Sequence, residues 1–415
     1  MQQVDSAQQA VEVAANQAVL ASLQTTFAVG AALIENATGA VVMVMHNNVL
    51  EPYPGGDGAF TLHDPTAHGE RQLVDWYYAI GVGLGLPEPS KMTVVTSLDP
   101  CAMCAGALLT AGFNVAVSAI DTFAGVNYNC RQDFPTLPPQ LRALAQRTWG
   151  YYGVHDPFNR AYAGGSTPVF TGESIDALTY EVTLLVFSAS VDAVRAASSS
   201  GGTEPAKMSD PERLPSSSPV RQALTALYPQ TLTVTSGDPR FPGVEFAAPL
   251  VAAAKQAASR GAAYNSVALL DPFGNLLVCL GGAEEDSPVR TAFLETTREY
   301  AMLRWRLMND PNSAVRAEAT SYLAHATYCT FVHLTVPDPR TAQAVMTFGA
   351  YGSTMEGSMP QIFPSSFQYA QLPGGVGEQD VARLAAALPP FYTTSVGVAP
   401  QRVLDQELIA ATARS

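Results

Sequence analysis

Charge is what this 415-residue chain has little of. Asp, Glu, Lys and Arg make up 14% of it, and only 22 basic residues stand against 36 acidic ones, a formal charge of −14. A protein that neutralises many phosphates needs the opposite sign, and no dense Lys/Arg run is present. A dedicated nucleic-acid binder and an anionic-membrane binder are therefore disfavoured, although folding can still build a local basic patch. Five cysteines are too few, and an odd number, for a disulfide scaffold. No apolar run is expected to reach the ~18 residues of a membrane span. The first residues lack a basic stretch and carry Asp5, which does not fit a secretory signal. A reducing cytoplasm is the simplest expectation. Hydrophobic residues make up 47%, which excludes global disorder. At roughly 100–200 residues per domain, the length suggests two or three domains.

The N-terminal half reads as alternating helices and strands. Val11, Ala14, Ala15, Ala18 and Val19 recur at helical spacing between Ser6 and Leu23. Phe27–Ile34 and Val41–Met45 read as strands joined by a turn at 36–39, before a Gly/Pro/Asp-rich loop, PYPGGDG. His68–Ile80 reads as a helix, Thr93–Ser97 as a buried strand, Pro100–Ala111 as a helix and Val115–Ile120 as a strand. That order implies an α/β fold.

From Ser198 to Pro219, Ser, Gly and Pro dominate and large apolar residues almost vanish. This is an interdomain linker by composition, or else a lid that orders on the first domain. The expected division is 1–197, 198–219 and 220–415. The same element order then restarts: a helix at Ala247–Ser259, strands at Ser266–Leu270 and Leu276–Leu280, a helix at Ala292–Leu307, a strand at Phe331–Val336 and a helix at Arg340–Phe348. Aligning SLDPCAMCAGALLTAG with LTVPDPRTAQAVMTFG sets Pro100 on Pro337 and Gly112 on Gly349, which points to a diverged duplication.

Chemistry concentrates in TAHGE (66–70) and DPCAMC (99–104). A tetrahedral catalytic zinc needs three protein ligands and one open position. His68, Cys101 and Cys104 supply three. Pro100 suits a first helical position and Asp99 the N-cap before it, and a helix N-terminus favours the thiolate that a metal requires. Glu70 is not needed as a ligand, and a carboxylate beside a metal-activated water suits general acid/base work. Alone, HxE is mostly solvated helix surface, and CxxC is ambiguous between a redox pair, a buried chance pair and half a structural zinc site, with Cys130 the nearest fourth ligand. HxE followed by PCxxC, in that order, is the zinc-deaminase signature.

On these motifs the N-terminal half, roughly Ala7–Tyr128, resembles the cytidine deaminase superfamily in its nucleobase deaminase and tRNA adenosine deaminase branch. FAVGAALIEN resembles its first strand, HNNV at His46 the end of its second, and DPTAHGE and PCAMCAGAL its two metal motifs. The resemblance implies two deaminase-like α/β/α domains, each a central mixed sheet flanked by helices. It implies Zn2+ between two helix N-termini, with Glu70 moving protons and Asn47 fixing the substrate ring. Asn48 is the alternative if the register slips by one. Phe27, Phe123 and Asn127 are candidate pocket residues, with core or loop roles as their plain alternatives. His63 and His155 read as surface residues. TWGYYGVHDPF, at 148–158, has no place in the resemblance.

In the second repeat the alignment sets Thr291 on His68, Phe293 on Glu70, and Asp338 and Thr341 on the cysteines. That domain is expected to be metal-free and inactive, paired internally with the first in the manner of a homodimer; a true homodimer is a further possibility. Cys279 and Cys329 read as small buried hydrophobes. The expected activity is hydrolytic deamination of a small nucleobase, nucleoside or related amino-heterocycle. An RNA or DNA deaminase and a non-catalytic deaminase-like binding protein are the alternatives.

Overall fold

The computed structural model describes residues 2–52, 60–155, 167–200, 204–355 and 364–413. Most of the PYPGGDG loop lies outside them, as do the last residues of TWGYYGVHDPF. Helix α1 (Ala7–Leu23) starts at Ser6, whose side chain accepts from the Gln9 N–H, so a short polar residue ends one orphan donor. Strands β1 (Gly30–Glu35) and β2 (Val41–His46) form an antiparallel pair, and α2 (Gly69–Trp76) follows. This helix is shorter than expected, because the chain widens into a π-turn at Tyr77–Gly81. Strand β3 (Met92–Leu98), helix α3 (Ala102–Ala111), strand β4 (Asn114–Ala119) and strand β5 (Trp149–Tyr151) complete a sheet of order β2-β1-β3-β4-β5. Within the aromatic stretch that has no counterpart in the resemblance, Trp149–Tyr151 thus form the fifth strand, parallel to β4.

Helix α4 (Ala177–Ser200) then packs along α1. It corrects the expectation of no spanning-length apolar run: Ala177–Val194 is long and apolar enough to cross a bilayer by length and composition. Its charged residues, Glu181 and Asp192, are too sparse to interrupt it. The helix also runs through the first residues assigned to the linker. Beyond it, short 3-10 turns at Pro205–Lys207 and Pro211–Arg213 lie on the second half. The Ser209 N–H donates to the Ser321 carbonyl, and Asn275 donates to Asp210. These bonds run away from the first half, against the lid alternative.

The second half repeats the architecture. Helix α5 (Ala247–Arg260), strands β6 (Ser266–Leu270) and β7 (Leu276–Gly281), helix α6 (Ala292–Met308), strand β8 (Thr330–Thr335), helix α7 (Ala342–Met355), strand β9 (Phe367–Gln371) and the short β10 (Gln401–Arg402) build a sheet of order β7-β6-β8-β9-β10. Both sheets pair antiparallel, antiparallel, parallel and parallel along their order. Both carry a register shift at the same place, Leu33/Ile34 and Leu269/Leu270. These are two five-stranded mixed sheets with helices packed on them, an α/β protein of two units that share one architecture.

The units join through α3 and α7, and glycine permits the closeness. A methyl group on Gly106 would strike the Met346 N and, at 2.6 Å, the Ala342 carbonyl; one on Gly349 would strike the Met103 N and, at 2.6 Å, the Ala102 carbonyl carbon. The contact is reciprocal: Met103 and Gly106 on one helix answer Met346 and Gly349 on the other. The repeated MxxG therefore sets the helix register, and Gly106 rather than Gly112 corresponds to Gly349. The alignment is corrected accordingly. Asp338 pairs with Arg340 on a loop before α7, and Thr341 is exposed, so neither occupies a cysteine's place. The second unit has a longer connection between β8 and α7, which an ungapped alignment cannot see.

Candidate metal and acid–base site

His68 and Cys101 are each the N-cap of a helix, α2 and α3, and Cys104 lies on the first turn of α3. The N-cap of α3 is thus Cys101 itself, two residues later than expected. The displaced Asp99 is instead a buried residue of the site wall, where it accepts from the Asn127 N–H at 3.0 Å and the Tyr151 hydroxyl at 2.6 Å. Burial pushes the Asp99 carboxyl up to about 8.

The donor atoms of His68, Cys101 and Cys104 all lie within 4.8 Å of one another, and His68 Nδ1 is 3.4 Å from Cys101 Sγ. Two thiolates and an imidazole are a donor set that suits zinc, and three ligands leave a tetrahedral position open. The residues present therefore fit the metal. The Cys104 side chain and then His68 hold the Cys101 thiol well below its usual range, while burial raises Cys104. Glu70, 2% exposed, places Oε2 3.4 Å from Cys104 Sγ and accepts from the Thr96 hydroxyl at 3.2 Å through Oε1. Burial and then the Cys101 charge push its carboxyl up, the direction that suits a group which must both take and give a proton.

A cavity of about 130 Å³ opens over this cluster. Asn47, His68, Glu70 and Cys101 line it together with Phe27 and Phe123. The structure therefore brings every proposed residue except Asn127 to one site. Cys104 is a buried member of the metal cluster beneath the wall. Asn127 does not line the cavity: it is fully buried, its N–H held by Asp99 and its Oδ1 accepting from Phe134 N at 3.4 Å. Asn47 uses Oδ1 to accept from the Gly69 N–H at 2.8 Å, which fixes the start of α2 and leaves its amide N–H groups for a ligand. Asn48 is occupied at its backbone by the Ala67 carbonyl. His155 is exposed, as expected, and His63 is half-buried, meeting Glu51 at 3.3 Å and Trp305 of the second unit edge-on.

Sequence reasoning missed several wall residues. Asp121 accepts from the Phe123 and Ala124 N–H groups through Oδ1. Phe187 and Val191 come from α4, and Ser353, Phe391 and Tyr392 from the second unit. The Phe391 N–H donates to the Phe123 carbonyl at 2.9 Å and the rings meet edge-on, so the second unit completes the wall. Among the described lining residues none is Lys or Arg.

At the equivalent place in the second unit the chemistry is gone. Thr291 is the N-cap of α6, as His68 is of α2, so Phe293 takes the position of Glu70. By strand pairing His333 takes that of Thr96. Phe293 and His333 stack at 5.4 Å, and Phe367 stacks on His333 at 4.3 Å. A hydrogen-bonded carboxylate and hydroxyl have become an aromatic plug.

No curated protein matches the chain in sequence. Among solved structures, one from work on A-to-I editing by tRNA deaminases at the wobble position is 23% identical, covering 29% of this chain and 81% of its own, with a TM-score of 0.23. A guanine deaminase from Nitrosomonas europaea is 14% identical, covering 46% and 86%, with a TM-score of 0.28. The family model described as the cytidine and deoxycytidylate deaminase zinc-binding region matches residues 4–119, which span β1 to β4 and every residue of the metal cluster. Over residues 4–119 this chain is therefore similar to the cytidine and deoxycytidylate deaminase zinc-binding region.

Proposed function

We propose that the protein is a zinc-dependent hydrolytic deaminase that acts on a small amino-heterocycle, a nucleobase or nucleoside, and releases ammonia. The observation that carries this is the buried Glu70 carboxylate beside a three-donor metal cluster at the floor of a mostly apolar cavity. A structural zinc has no use for such a carboxylate. Zinc, when bound, supplies the Lewis acidity that makes a nucleophile of water near neutral pH. Glu70 takes the proton of the attacking water and hands it to the ring nitrogen. The water oxygen bonds to the carbon bearing the amine. Glu70 then takes the proton of the new hydroxyl and delivers it to the amine, which leaves as ammonia as the C–O bond becomes a carbonyl. Asn47 N–H groups hold the ring, and Phe27, Phe123 and Phe391 cover its faces and exclude water.

The substrate class follows from what the wall offers. Without a cation in the described lining, a phosphate has no partner, and the −14 charge repels polynucleotides. A neutral base or nucleoside fits this wall better than RNA. The cysteines are all free, in keeping with a reducing compartment such as the cytoplasm. The test is ammonia release from zinc-loaded protein across purine and pyrimidine bases, their nucleosides and a single-stranded oligonucleotide. Turnover of a free base or nucleoside supports the reading. Turnover of the oligonucleotide alone would replace it with a nucleic-acid deaminase, and no turnover at all would favour a binding protein.

A further inference from the structure

The loop that presents His68 and Glu70 is held from behind by four charges, one of which comes from the other unit. Asp64 accepts from the Thr66 N–H at 2.8 Å and from its hydroxyl at 2.7 Å. The Thr66 carbonyl in turn accepts from Arg71 Nε and, at 2.9 Å, from the His68 N–H. Arg71 also reaches Asp75 at 3.1 Å and Asp64 at 3.9 Å. Two carboxylates thus face one guanidinium, all within or next to α2, and the set lacks a positive charge. Arg298 on α6 supplies it, with Nε 3.5 Å from Asp64 and an Nη 3.9 Å from Asp75. The Asp64 and Arg71 side chains are 6% and 4% exposed, so solvent cannot stand in for a missing partner.

We propose that Arg298 of the metal-free unit is a positioning residue for the zinc site, acting through Asp64, Arg71 and Thr66 on His68 and Glu70. Position within the fold makes this a task for a diverged copy. Asp75 lies seven residues after the N-cap His68, and Arg298 seven after the N-cap Thr291, so the two occupy equivalent places on equivalent helices. In a symmetric pair of identical units that place would set like charge against like. Complementary charges at equivalent positions exist only where the two copies have diverged. Without Arg298, Arg71 alone must serve two carboxylates, and any shift toward Asp64 withdraws Nε from the Thr66 carbonyl on which the His68 N–H also hangs.

The test uses the full-length, zinc-loaded chain with Arg298→Met, which keeps the length and drops the charge, and Arg298→Lys, which keeps the charge. Zinc release to a chromogenic chelator should quicken about tenfold in Arg298→Met, the low end for losing an outer-shell partner, and stay near wild type in Arg298→Lys. Amide hydrogen exchange should rise over residues 64–72 and stay unchanged over α7. On any substrate found active, kcat should fall with KM little altered. The activity readout rests on the deaminase reading; the zinc and exchange readouts do not. A wild-type chain that deaminates nothing would count against that reading alone. Wild-type zinc release and exchange in Arg298→Met would overturn the proposal. So would exchange rising equally across the whole chain, the mark of a merely structural bridge.

Discussion

Glu70 is the residue on which the chemistry turns. Removing its carboxylate leaves the three metal donors in place, so Glu70→Gln should keep zinc and fold yet lose at least the ~10²–10⁴-fold that general acid/base groups contribute. Ammonia release alongside metal content checks this, and near-normal turnover would remove Glu70 from the mechanism. The residues legible in the sequence were those whose chemistry admits few substitutes: a histidine, two thiols and a carboxylate at fixed spacing. Asp99 was legible only as a cap, because its real partner, Tyr151, lies 52 residues away and no spacing joins them. Phe391 and Tyr392 follow two prolines in a π-turn with no periodicity. Only folding of the second unit brings them to Phe123.

At the scale of elements, the strands and long helices were readable because their burial is periodic or complete, as in β3, buried along its whole length. The π-turn after α2 and the short β5 were not, since neither carries a distinctive pattern. The α3–α7 contact is the element pair most exposed to mutation. Gly106→Ala or Gly349→Ala would drive a methyl into backbone, and overpacking of this kind costs ~1–3 kcal/mol. Urea unfolding of each variant measures that loss, and an unchanged midpoint would show that the helices sit further apart.

The aromatic plug gives a pH signature. Burial lowers the His333 imidazole from 6.5 to about 3, so the folded chain holds it neutral. Below pH 6.5 the unfolded chain takes up a proton that the folded chain refuses. Stability from this group is therefore full above pH 6.5 and declines as pH falls toward 3, by at most about 1.4 kcal/mol per unit. His325, lowered to about 3 by burial and then Arg304, adds in the same direction. His333→Phe should extend the stack and flatten the acid limb of a melting-temperature profile taken from pH 7 to 4. An identical limb in the variant would mean that the ring is not held neutral.

For the whole molecule, one unit carries the donors and the other carries a plug, part of the pocket wall and Arg298. The apolar core runs continuously through both, from Met103 and Leu108 to Met346 and Phe348. A fragment ending at Ser200 keeps every metal donor but bares the α3 face and opens the wall at Phe123. It should aggregate, self-associate or lose activity, as light scattering and ammonia release will show. The duplication itself was legible from repeated element order, whereas the helix register was not, because the connection between β8 and α7 differs in length. The most direct measurement is zinc content per chain in the purified protein and in Cys101→Ala. One zinc per wild-type chain is expected, and close to none in Cys101→Ala, with turnover lost in step. Two zincs per chain, or a full complement retained by Cys101→Ala, would contradict a single metal site built from His68, Cys101 and Cys104.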